Sequence, residues 1–148
     1  VTSIRELARN INRIDTQQLQ RQVIEDTADK PIELNQDQLL QGKDSIGDDL
    51  KAYRDPFYAS FKQTLNPRPS FGIADLRLKG RFFSLFKLIP LLNIEGIGAK
   101  ITSTDEKSKR LESKYGQNIF GLNKSNTEKY QIASTKEYVR RWKKLAGL

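Results

Sequence analysis

The stretch Phe82-Phe83-Ser84-Leu85-Phe86-Lys87-Leu88-Ile89-Pro90-Leu91-Leu92, continued by Asn93-Ile94-Glu95-Gly96-Ile97-Gly98-Ala99-Lys100-Ile101-Thr102, decides the fold class. Its first half is an apolar run of strand length, far short of the roughly 20 apolar residues that span a bilayer. Pro90 has no N–H to give a ladder, which argues against a central strand and for a strand end or edge. The second half alternates apolar and polar residues around two glycines, the pattern of a half-buried strand with a bulge or a turn. Together they predict a two- or three-stranded antiparallel unit. The sequence outside it reads mainly as helix, so the expectation is an α+β protein: a small antiparallel sheet packed with several helices.

Upstream, Ile4, Leu7, Ile11 and Ile14 recur at steps of three and four, an amphipathic helix. The stripe resumes at Leu19, Val23 and Ile24 after Asp15-Thr16, a helix end and N-cap, so one bent helix or two helices fit. Such a helix packs on its own domain or is reserved for a neighbouring subunit. Pro31 can begin a further helix through Leu34, Leu39 and Leu40, with Gly42 as terminator. Residues 42–49 form a loop, and Asp55-Pro56 caps and opens another helix that stops before Asn66-Pro67-Arg68-Pro69. The span Ile73 to Arg81 is expected to include a short helix. Asp105 to Tyr115 reads as a charged helix closed by Gly116, and Tyr138, Trp142 and Leu145 mark a short basic amphipathic helix at the far end. A chain of 148 residues fits one domain with a real core. We divide it into N-terminal helices (1–41), a central core (42–122) and a basic tail with a helix (123–148).

The chain has no cysteine and no histidine, which removes the thiolate nucleophile, the usual general base and most transition-metal ligands. Asp44, Asp48 and Asp49 sit in a Gly-flanked loop, but their spacing is not that of an EF-hand, and such loops are mostly solvated turns. Gly96-Ile97-Gly98 lacks the third glycine of a dinucleotide loop, because position 101 is Ile101. No catalytic, cofactor or metal residue is predicted, and the expectation is a non-enzymatic protein that binds other macromolecules. With no basic n-region followed by an apolar h-region at the N-terminus, the expected setting is the cytosol or a particle built there, with no membrane partner.

The formal charge of +8 is unevenly placed. Residues 1–75 hold ten lysines and arginines against twelve carboxylates, whereas residues 76–148 hold sixteen against six. Such asymmetry steers one surface toward polyanions or acidic protein. Three basic clusters are the interface candidates. Arg77, Lys79 and Arg81 alternate with Leu76, Leu78 and Gly80. Lys107, Lys109, Arg110 and Lys114 crowd one helix. Arg140, Arg141, Lys143 and Lys144 surround Trp142, which suits protein docking better than base stacking.

The order of motifs from about residue 42 to 122 resembles that of the small tailed-phage virion-morphogenesis proteins, the head–tail connector, neck or tail-completion family. The loop Gly42 to Tyr53 precedes a Tyr-x-x-x-Lys helix, Tyr58 to Lys62. Asp75 to Phe86 resembles the family's leucine, Thr-Gly, hydrophobic, Ser-hydrophobic element, with Lys79 where threonine is usual. Leu111 to Leu122 resembles the segment in which Tyr-Gly precedes Ile-Phe-Gly-Leu. The resemblance implies a virion protein of the neck or tail region, assembled in the host cytoplasm. It also implies a homo-oligomeric ring, hexamer or dodecamer, between portal or adaptor and tail proteins. A channel for DNA would allow sequence-independent contact with it, Arg140, Arg141, Lys143 and Lys144 being candidates for a basic wall. The competing readings are a free nucleic-acid-binding accessory protein and a homologous subunit of a phage-derived injection particle.

Overall fold

The computed structural model describes residues 2–65, 67, 72–77, 80–93 and 96–148, with backbone alone for 93, 96 and 97. Local capping chemistry sets most helix bounds. Ser3 and Asp15 accept hydrogen bonds from the amides of Glu6 and Gln18, starting α1 (Ile4–Arg13) and α2 (Thr16–Asp26) as two separate helices. Pro31 lies in the first turn of α3 (Asp29–Leu40), which Gly42 ends with a positive φ. Asp55 accepts from the amide of Phe57 and Pro56 opens α4 (Pro56–Leu65).

Three sequence expectations are corrected. The short helix expected from Ile73 is displaced: Ile73 bridges Ala52, and α5 (Arg81–Ser84) starts only after Gly80. The charged helix α6 (Ser108–Tyr115) begins later than Asp105, because Asp105 folds into a turn that accepts the amide of Lys107 at 2.8 Å. The C-terminal helix is long, not short: α7 runs Lys124–Ala146 from an Asn123 cap to a left-handed Gly147. Asn66, Arg68, Pro69, Leu78, Lys79, Ile94 and Glu95 lie outside the described residues.

The sheet is a two-stranded antiparallel ribbon of β1 (Phe86–Asn93) and β2 (Gly96–Ser103). Pro90 sits mid-strand opposite Ala99. Each strand of such a ribbon keeps one free edge, so a residue without an N–H is accommodated there. Phe86, Leu88 and Ile101 turn inward, while Lys87, Ile89 and Leu91 face out.

The resulting single α+β domain is built on Leu39, Leu50, Ala74, Phe82, Phe83, Phe86, Ile101 and Ile119. Phe86 packs edge-on against Phe82 at 5.0 Å and also contacts Phe120. Helix α2 packs on both strands and on α7, and α1 packs on α7. Asn10 donates to the carbonyl of Ala146 at 3.2 Å, so the N-terminal helix is tied to the C-terminal one. Only part of the α1 stripe is covered: Leu7 and Ile14 are half-buried, whereas Ile4 is 87% exposed.

Two buried amides on α3 carry the chain past the core. Asn35 donates to Ile119 O and accepts from the amide of Gly121. Gln38 donates to Gly121 O and accepts from the amide of Asn123 at 2.8 Å, and from the Asn126 side chain. A buried backbone group stripped of its partner keeps its full desolvation cost. Replacing Gln38 with Leu should therefore lower unfolding stability by about 1–3 kcal/mol. Urea unfolding would show a reduced midpoint at unchanged slope, and an unchanged midpoint would remove this role from Gln38.

Candidate interface cleft

Helix α4, the segment around residues 53–55, residues 75–77 and 80–82, and helix α6 enclose a cleft of about 810 Å³. Its floor is built around one carboxylate. Lys62 and Asp75 form an ion pair at 2.8 Å, with side chains only 3% and 1% exposed. The Tyr53 hydroxyl donates to the same Asp75 oxygen at 3.0 Å and accepts from the Asp75 amide at 3.2 Å. The amide of Arg77 also donates to that oxygen at 3.0 Å, closing a turn in which Leu76 takes a φ of 57°. A left-handed non-glycine residue costs about 1–3 kcal/mol and persists only where its surroundings fix it. Here Asp75 fixes it from both sides.

Tyr58 lies one helical turn before Lys62 and meets Tyr53 edge-on at 5.1 Å. Burial, then the charges of Asp75 and of Tyr115, push the Tyr58 hydroxyl above its ordinary value against the opposing pull of Lys114. The phenol therefore stays neutral through the physiological range.

The rim is cationic. Of the residues singled out in the sequence, Arg77, Arg81, Lys107, Arg110 and Lys114 all line this one cleft, brought together from two separate stretches of chain. Arg54 joins them from the segment before α4. Asp105, almost buried, orders its edge by accepting from the Lys107 amide and facing the Arg81 guanidinium at 3.8 Å. Lys109 points away from the cleft on the exposed side of α6, and Lys79 is outside the described residues.

The tail cluster is separate and partly neutralised. Glu137 receives Arg140 at 2.7 Å and Arg141 at 2.6 Å, and Arg141 also reaches Asp26 on α2 at 2.6 Å. Lys143 and Lys144 are exposed and make no ion pair among the described residues, while Trp142 is half-buried. The loop carboxylates do not converge: Asp44 accepts from the amides of Ile46 and Asp48, and Asp49 pairs with Lys43 at 2.7 Å. Among the described residues no group of three or more carboxylates is placed to hold a metal ion.

The sequence does not mark Tyr53, Arg54 or Asp75 as cleft residues, though all three line it. No sequence signal marks them: α4 buries Ala59 and Lys62 while its large apolar residues Phe57, Phe61 and Leu65 are exposed, so hydropathy points to the opposite face.

Removing one partner of a buried pair leaves an uncompensated charge. Lys62→Met should lower stability by about 3–5 kcal/mol, whereas combining it with Asp75→Asn should recover part of that loss. Equal loss in the single and double variants, in chemical denaturation, would contradict the pairing. At the tail, hydrogen bonds from Arg140 and then Arg141 hold the Glu137 carboxyl down to about 2. Its folded value lies below its ordinary one, so its contribution to stability is present above the ordinary carboxylate range and fades as pH falls through about 2. A carboxyl NMR titration should find that value and see it rise in Arg140→Ala. Comparisons with protein-family models, curated proteins and solved structures found no match to this chain.

Proposed function

We propose that this chain is a non-enzymatic structural subunit of a ring in the neck of a tailed bacteriophage, joining portal or adaptor to tail around a DNA channel. The observation that carries the reading is large apolar surface on two unrelated elements. Phe57, Phe61 and Leu65 fall at i, i+4 and i+8 along α4 and are exposed, Phe57 at 87%. On the ribbon, Ile89 and Leu91 face outward and Leu92 is 71% exposed. Apolar rows of this kind mark contact surfaces. A head-to-tail ring needs two different patches on each subunit, one for each neighbour.

The motifs behind the family resemblance also interlock. Tyr53 and Lys62 meet at Asp75, and the amide of Ser45 donates to Asn118 O at 2.8 Å. Leu50, Ala74 and Ile119, one from each motif segment or its immediate border, share the core. That arrangement supports the resemblance as one of an ordered unit. The basic accessory-protein reading draws on the cleft cations and is separated by experiment.

Light scattering on the purified protein, with and without duplex DNA at two salt concentrations, tests the proposal. The expected species is a closed multiple of the 17.0 kDa chain, indifferent to DNA and dispersed by Phe57→Ser with Phe61→Ser. A monomer or dimer that binds duplex DNA at low salt and releases it at high salt would replace the neck reading with the accessory protein.

A further inference from the structure

The cleft carries more positive charge than its own residues answer. Asp75 is committed to Lys62 and Tyr53, Asp55 caps its own helix, and Asp105 holds the Lys107 amide. Arg77, Lys107, Arg110 and Lys114 are all exposed and make no ion pair among the described residues. A concave wall of one sign focuses its field and calls for an anionic occupant.

The same chain exposes a row of the opposite sign. Asp29, Glu33 and Asp37 stand at i, i+4 and i+8 on α3 and are all exposed, with no ion pair among the described residues. They lie away from the face that buries Asn35, Gln38 and Leu39. Like charges at i, i+4 weaken a helix, and Lys30 is the one cation of α3 against the row. Asp29, in the first turn, suits the helix dipole, whereas Glu33 and Asp37 repel each other across one turn of the isolated chain's helix.

The two rows match in length. At 1.5 Å per residue, Asp29 to Asp37 spans about 12 Å, and Lys107, the cap residue of α6 with helical backbone angles, to Lys114 spans about 10.5 Å. None of the three carboxylates lines the cleft, so they reach it only from another molecule.

We infer that the occupant of the basic cleft is the carboxylate face of α3 from a second copy of this chain. Resting on the ring reading, this names the polar half of the subunit contact. One copy offers Asp29, Glu33 and Asp37, and the next receives them with Lys107, Arg110 and Lys114. The contact is heterologous, so every copy uses both surfaces. It also gives the acidic N-terminal half and the basic C-terminal half of the chain a common use.

Charge exchange tests this. A cleft variant, Arg110→Glu with Lys114→Glu, and a helix variant, Glu33→Lys with Asp37→Lys, are purified separately, checked for helix content by circular dichroism, and mixed. Wild type should associate at low salt, and each variant alone should associate at least about tenfold more weakly, since like charges then face each other. An equal mixture should regain assembly, because each variant supplies the surface its counterpart now fits. The chain carrying all four changes should assemble as well.

If wild type forms rings that neither variant disturbs, the contact is wrong and the neck reading stands. If the mixture stays dissociated, or wild type never associates at low salt, the contact is wrong. If the cleft variant keeps its assembly but loses binding to duplex DNA, the occupant is nucleic acid and the inference is overturned.

Discussion

One buried carboxylate holds the central region together. Asp75 takes a lysine from α4, a tyrosine hydroxyl from the preceding segment and the amide of Arg77, all on one oxygen. Burying a charge is expensive unless pairing and hydrogen bonds replace the lost water. That requirement makes the site exacting: α4, the strand-like segment at Tyr53 and the left-handed turn at Leu76 must all arrive in register before the cost is offset. The neighbouring Ala74 is wholly buried in the core, so the polar knot and the aromatic cluster are adjacent parts of one packing problem. Arg77 inherits its place on the cleft rim from the polar knot, because its amide closes the Asp75 turn.

Where structure follows from local chemistry, the sequence was readable. Asp15 and Asp55 as caps, Pro56 at a first turn and Gly42 and Gly116 as terminators all act within a few residues of themselves. The ribbon was readable because period-two alternation needs only a face to bury. Helix α7 was not readable at full length, for a physical reason. Its upstream half presents Asn126, Thr127 and Tyr130 to the protein, and these bind Leu34 O, Leu122 O and Thr27 by hydrogen bonds. Hydropathy records apolar burial, and a helix held by polar contacts has no apolar stripe to record.

The cleft was half legible. Its cations were visible as clusters, but Arg77 and Arg110 are far apart in sequence, and only Asp75 and the Asp105 turn bring them to one wall. At the tail the charge is partly answered within the chain. Glu137, at i−3 and i−4 from two arginines, accepts from both Arg140 and Arg141. Lys143 and Lys144, exposed in the last turn of α7, make no ion pair among the described residues.

Exposed apolar rows and opposed charge rows do different work at an interface. Apolar area supplies affinity once water is excluded, while complementary charge sets orientation and rejects wrong partners. This chain keeps them on different elements: α4 and the ribbon are apolar, while α3 and the rim of the cleft are charged. Tyr58 lines the cleft from the helix that also exposes Phe57 and Phe61, so the cleft and the apolar row adjoin along α4. Under the ring reading, a neighbour steered by charge into the cleft is brought against an apolar row it can cover. A copy arriving in the wrong orientation meets the same apolar row with no charge partner, and the unanswered cations keep that contact hydrated. Under that reading, segregating the two kinds of surface would select one docking geometry from the many that apolar contact alone would allow.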